Sequence, residues 1–144
     1  MSFWRVVRRR VVRTAKSIAD TTITGDTLMK YMFLIYENEA ERTKMTKADL
    51  DAEMGAYYAF GTEAATRTTV HSSEALHDIT KATTVRVRDG KTVSSDGPFA
   101  ETKEQLGGYY VIECNNVDEA VQIAAMIPGA KHGSIEIRPV VVFG

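Results

Sequence analysis

The run Lys30-Tyr31-Met32-Phe33-Leu34-Ile35-Tyr36 limits what this chain can fold into more than any other stretch. It is apolar at alternating and at intervening positions, so as a β-strand it presents apolar side chains to both faces of a sheet. Such a strand belongs in the middle of its sheet, with helices over one face and a second cover over the other. No apolar run approaches the length of a membrane span. At 144 residues the chain is long enough for one domain with a real core.

The remaining elements fall into place around that strand. Thr46 precedes Asp49 at the spacing of a capping box, and Leu50, Met54, Tyr57 (or Tyr58), Gly61 and Ala65 follow at helical spacing, which predicts a helix to about Ala65. Thr69-Val70-His71-Ser72 reads as a short strand, and residues 74–78 as a loop or turn. Ala82 to Arg88 alternates, with Thr83, Val85 and Val87 on one face and Thr84, Arg86 and Arg88 on the other. Asp89-Gly90 then returns the chain through Lys91-Thr92-Val93 as a hairpin. Gly97-Pro98 marks a stiff turn with Asp96 at its lip. Glu101, Lys103 and Glu104 read as a solvated turn of helix, and Gly107-Gly108 as a tight turn or bulge before a strand over Tyr109–Cys114. Asn116 caps a helix through about Met126, which Pro128-Gly129 ends. Ser134 to Arg138 alternates as the last strand, and Pro139 puts it at an edge or ends its ladder there. Strand, helix, strand, hairpin return, helix, strand is the order of a ferredoxin-like α+β sandwich. The simplest cover for its open sheet face is a second copy, a homodimer enclosing a cavity between two sheets.

Charge separates the first segment from the rest. Residues 1–28 hold six basic residues (Arg5, Arg8, Arg9, Arg10, Arg13, Lys16) against two acidic ones, while residues 29–144 hold 12 basic and 17 acidic. Phe3, Val7, Val11 and Ile18 lie near one helical face, so a basic amphipathic helix fits residues 1–28. An arm for membranes or nucleic acid, a targeting peptide and an inhibitory tail compete with an extension that has no part in the fold, and the last is our expectation. Residues 29–144 form the domain. Membrane contact through residues 1–28 is not expected, and neither is nucleic-acid binding, because basic residues are not interleaved with aromatics. The single cysteine, Cys114, excludes an internal disulfide, fits a reducing compartment, and lies in an apolar strand as a buried thiol.

The stretches Met29–Met32, Ala82–Gly90, Asp96-Gly97-Pro98-Phe99-Ala100-Glu101-Thr102-Lys103-Glu104-Gln105-Leu106-Gly107-Gly108-Tyr109 and His132–Pro139 resemble the YCII-related family in its DGPF-motif branch, from Met29 to the C-terminus. The resemblance implies a dimeric α+β barrel of ferredoxin-like protomers, in cytoplasmic bacterial proteins often encoded beside extracytoplasmic-function sigma factors. It implies small-molecule enzymes with a His/Asp pair in the barrel cavity, some resembling dehydrochlorinases or muconolactone isomerases. Asp96 matches the motif aspartate, and His132 and Arg138 match the C-terminal pattern. No histidine here matches the one near the first helix of the broader family, and Ala65-Thr66-Arg67-Thr68-Thr69-Val70 replaces its usual Ala-Gly turn and glycine-rich strand.

For chemistry, alternation sets Arg86, Glu136 and Arg138 on one sheet face if their strands are neighbours. Two arginines there would hold an anionic substrate through bidentate contacts. Asp96 would then move a proton next to a carbonyl, with His132 as the best-placed histidine. An ion-pair network of Glu136 with Arg86 or Arg138 accounts for the same three residues without catalysis. His71 and His77 read as satisfied loop histidines. No phosphate loop, nucleophile elbow or metal-ligand spacing occurs, so no cofactor and no metal are expected. The expected functions are a cofactor-free lyase or isomerase acting on a small anionic or aromatic acid, or a non-catalytic ligand-binding or regulatory module tied to transcriptional control.

Overall fold

The computed structural model describes residues 27–144. The amphipathic helix expected over residues 1–28 therefore lies, but for its last two positions, outside the described residues. In chain order the elements are β1 (Met29–Glu37), α1 (Glu39–Arg42), α2 (Lys47–Arg67), β2 (Val70–Ala75), β3 (Thr83–Arg88), β4 (Lys91–Asp96), β5 (Gln105–Cys114), α3 (Val117–Met126) and β6 (Ser134–Pro139). Short 3-10 helices stand at Ile79–Lys81 and Pro128–Lys131. Four strands form an antiparallel sheet in the order β2-β5-β1-β6, while β3 and β4 form a separate two-stranded sheet. This is the ferredoxin-like α+β sandwich with a ribbon inserted before its third sheet strand.

The helices lie over one sheet face. Tyr31, Phe33 and Ile35 of β1 and Tyr110, Ile112 and Cys114 of β5 are buried against Tyr57, Phe60 and Ala64 of α2 and Ala120, Ile123 and Ala124 of α3. The Phe60 and Tyr110 rings meet edge to face at 5.1 Å. The Thr46–Asp49 capping box forms reciprocally, and Asn116 accepts from the Glu119 N–H, so both long helices start at the expected residues. The buried stripe of α2 is rotated from the expected one: Tyr57, Phe60 and Ala64 face the sheet, and Ala65 is exposed. On the other sheet face Met32, Leu34, Tyr36, Tyr109 and Val111 are half-buried side chains with no helix of the described residues over them.

Two local departures from the expected elements bear on the site. Residues 101–104 form no helix; they are an irregular stretch leading directly into β5. The glycine pair lies inside β5, where the pairing with β1 slips: Ile35 faces Gly108, but Tyr36 faces Leu106, leaving Gly107 as the extra residue of a bulge.

Candidate functional site

The buried side of β1 alternates Tyr31, Phe33, Ile35 and then Glu37, so strand period carries the core face onto a carboxylate. α2 does the same from the opposite layer. Glu53 stands one helical turn before Tyr57, on the stripe that continues to Phe60 and Ala64. Between them α1 turns the chain back and delivers Arg42. Its Nη1 lies 3.2 Å from Glu37 Oε2 and 2.8 Å from Glu53 Oε2, so one guanidinium nitrogen serves two carboxylates. Glu53 and Glu37 side chains are 11% and 20% exposed, which makes this a largely enclosed cluster.

Glycines let it close. A Cβ at position 129 would lie 2.9 Å from the Tyr57 hydroxyl and 3.2 Å from Glu37 Oε1, so only a glycine lets the Pro128–Lys131 turn sit there unforced. Burial raises the Glu37 pKa, and the Arg42 guanidinium opposes this without cancelling it; Glu53 adds to the rise and His132 works against it. Burial also raises Tyr57 well above an ordinary phenol, with the Glu37 charge adding to it. The result is a neutral phenol beside a carboxyl that holds its proton more tightly than one in water.

Glu37 and Arg42 form part of the wall of a cleft of about 540 Å³, completed by Ile35, Leu50, Leu76 and Gln105, and by Asp78 and Thr80 on the far side. That volume suits a small molecule. Several wall groups are already committed to holding the wall. Glu39 accepts from the Ile79 N–H at 3.1 Å, Asp78 from the Thr80 N–H at 2.9 Å, and Gln105 from the Glu39 N–H at 3.0 Å. Glu37 and Arg42 are a partly enclosed carboxyl and guanidinium of the wall. A shallower polar hollow of about 400 Å³ lies at the start of α3, lined by Arg67, Asn116, Asp118 and Glu119, where the Asn116 cap and two carboxylates already answer the helix N-terminus.

The structure divides the expected site residues. His132, exposed at the end of the Pro128–Lys131 turn, is close enough to act on the Glu37 charge. Glu136 and Arg138 share the open sheet face, with Arg138 Nε 3.9 Å from Glu136 Oε1, and cross-strand from Leu34 and Met32. Arg86 does not join them, because among the described residues β3 pairs only with β4 and is no neighbour of β6. Its guanidinium instead donates to the Phe99 carbonyl at 3.4 Å. Asp96 ends β4 as an exposed side chain opposite Thr83. His77 lies in the expected loop, where it lines the cleft, whereas His71 is on β2, the short strand expected there, 3.5 Å from Glu113. Cys114 is buried and its thiol is pushed up to about 11 by burial, which removes it as a nucleophile.

Sequence reasoning missed Glu37, Arg42 and Glu53. The signal was a carboxylate at the next core-facing position of β1, and a second one a turn before the buried stripe of α2.

Comparison with known proteins gives two findings. The family profile described as YCII-related domain matches residues 29–144. An uncharacterised protein of Rhizobium meliloti (strain 1021) is 47% identical over 66 residues, covering 44% of this chain and 53% of that protein. The chain thus matches about half the length of that relative.

Proposed function

Because this chain belongs to the YCII-related domain family, we propose that it binds a small molecule in the cleft at the end of β1 and moves a proton there with Glu37. One observation carries the reading: a carboxyl with a raised pKa stands in the wall of a cleft of small-molecule size, held by a guanidinium it shares with a second carboxylate. A general acid or base needs a pKa moved toward working pH and a fixed position, and Glu37 has both supports. Arg42 fixes its orientation, Tyr57 offers a neutral donor beside it, and His132 adjusts its charge. The matching reaction class is a cofactor-independent lyase or isomerase step, with proton removal next to the carbonyl of a small acid. In this reading Glu37 takes the role expected of Asp96, and His132 keeps a supporting one. The DGPF-motif branch remains the closest description of residues 96–99.

We also propose a homodimer joined through the open sheet face, supported by the half-buried Met32, Leu34, Tyr36, Tyr109 and Val111, which no helix of the described residues covers. The non-catalytic alternative, a ligand-binding or regulatory module, is supported by the closed Glu37–Arg42–Glu53 network, which is a sound structural arrangement by itself. Amide chemical shifts followed during titration with benzoate and with benzamide test the cleft. Movements grouped at Asp78, Thr80, Gln105 and Gly107 are expected; movements confined to Glu136 and Arg138 would refute it. Once a ligand is in hand, Glu37→Gln should bind it and leave it unchanged. A compound recovered unchanged from the wild type as well selects the non-catalytic module.

A further inference from the structure

Residues 82–104 leave the body beside one cleft-wall residue, Thr80, and return at another, Gln105. Between these points the chain forms the β3–β4 ribbon and the irregular stretch after it. The ribbon pairs with no strand of the main sheet, and Val85, Val87 and Val93 are 61%, 60% and 52% exposed. A lone two-stranded ribbon is marginal in water, so this one needs a surface to lie on. Its two faces differ in kind. Cross-strand register sets Val85 and Val87 with Ser94 and Thr92 on one, and Arg86 and Arg88 with Val93 and Lys91 on the other. Three cations on one face call for an acidic partner. The same chain presents carboxylates: Glu74 of β2 and Glu113 of β5 lie toward the β2 side of the open sheet face, Glu113 opposite Lys30 and 3.5 Å from His71, within an acidic domain.

We propose that the β3–β4 ribbon docks on a second copy of this chain, with Arg86, Arg88 and Lys91 against the Glu74–Glu113 side of that copy's sheet, and that docking fixes the cleft wall from which the ribbon springs. The root of the ribbon transmits the constraint. The Gly97 N–H donates to the Ala82 carbonyl at 2.8 Å, and the Thr84 hydroxyl to the Gly97 carbonyl at 2.8 Å, so the ribbon is tied shut two residues from Thr80. Gln105 continues the tie, donating to the Thr102 carbonyl and accepting from the Glu39 N–H. Each copy would thereby complete its neighbour's site without entering it.

The inference rests on the homodimer proposed above, and one experiment separates the two. Full-length chains labelled with 14N and 15N are mixed, allowed to exchange, and coupled with a carbodiimide, which joins lysine to carboxylate only in direct contact. Lys91 joined to Glu74 or Glu113 in mixed-isotope pairs is the expected result. Lys91 joined to those residues only within one isotope, or not joined to them at all, overturns the ribbon contact. Sedimentation of the same samples reports the dimer: a monomer at every concentration removes the dimer and the ribbon contact together, whereas a dimer without mixed-isotope links removes the ribbon contact alone. As a second variant, Arg86→Glu/Arg88→Glu should weaken the dimer at least tenfold and speed amide exchange at Ile79–Ala82. Unchanged association and exchange in that variant would also overturn the proposal.

Discussion

Replacing Gly133 with alanine should cost the fold about 2–5 kcal/mol, for a reason contained in three distances. A Cβ at that position would lie 2.0 Å from the Tyr36 carbonyl oxygen, 3.1 Å from the Tyr36 carbonyl carbon and 3.3 Å from the Glu37 Cα. All three atoms are β1 backbone, so no change of rotamer relieves the clash. The start of β6 must withdraw from β1 by roughly 1 Å or more before ordinary contact distances return. That opens the Tyr36–Ser134 pair at the end of the ladder. One or two ladder hydrogen bonds are worth about 1 kcal/mol each, and forced overpacking adds about 1–3 kcal/mol. In a domain of this size each kcal/mol moves Tm by about 3–5 °C, so a drop of about 6–25 °C is expected in a thermal melt followed by circular dichroism. Gly55→Ala is the control. That glycine lies in α2 with nothing within 4 Å of its would-be Cβ, and alanine there should stabilise by about 0.5–1 kcal/mol. A Gly133→Ala melt within about 2 °C of wild type would refute the close approach of the two strands.

Two further outcomes follow from the carboxylate cluster. Because burial raises the Glu37 pKa above its ordinary 4.5, the stability tied to its proton is complete below that pH and is lost as pH rises through the folded value. Glu37→Gln, neutral throughout, should flatten that part of the curve and gain on the wild type toward neutral pH in urea melts; a slope like the wild type's would contradict the burial argument. Arg42→Ala leaves Glu37 and Glu53 facing each other without their counter-ion, and should cost about 2–3 kcal/mol at neutral pH. Adding Glu53→Gln should restore part of the loss in a double-mutant cycle, and strict additivity would show that the two do not interact.

The parts of the fold set by local chemistry were legible from residues alone. Thr46, Asp49 and Asn116 cap helices through contacts three residues away, Asp89 and Gly90 take positive φ in their hairpin, and apolar alternation found the main strands. What escaped depends on contacts distant in sequence. Arg86, Glu136 and Arg138 have the right alternation to share a face, but alternation is silent on which strands adjoin, and among the described residues β3 adjoins only β4. Glu37, Arg42 and Glu53 look like ordinary solvated charges until α1 and α2 fold over the end of β1. The repeat of β1 hinted otherwise, by placing Glu37 where the next core residue belongs, and so did Glu53, one turn before the buried stripe of α2. Residues 101–104 show the opposite error: their charges suit a helix, yet the stretch is irregular between the ribbon and β5.

The extra residue at Gly107 makes the cleft sensitive to counting. Facing positions in a sheet alternate by parity, and the bulge switches that parity for the first two residues of β5. Gln105 therefore stands opposite Glu37 and lines the cleft, while Leu106 stands opposite Tyr36 on the outer face. Pairing the same residues one to one, without the bulge, would set Gly107 opposite Tyr36 and Leu106 opposite Glu37, giving the cleft a leucine and the outer face a glutamine. The bulge is thus what puts an amide rather than a leucine in the cleft wall, whereas deleting Gly107 would keep Gln105 opposite Glu37 and leave that wall as it is.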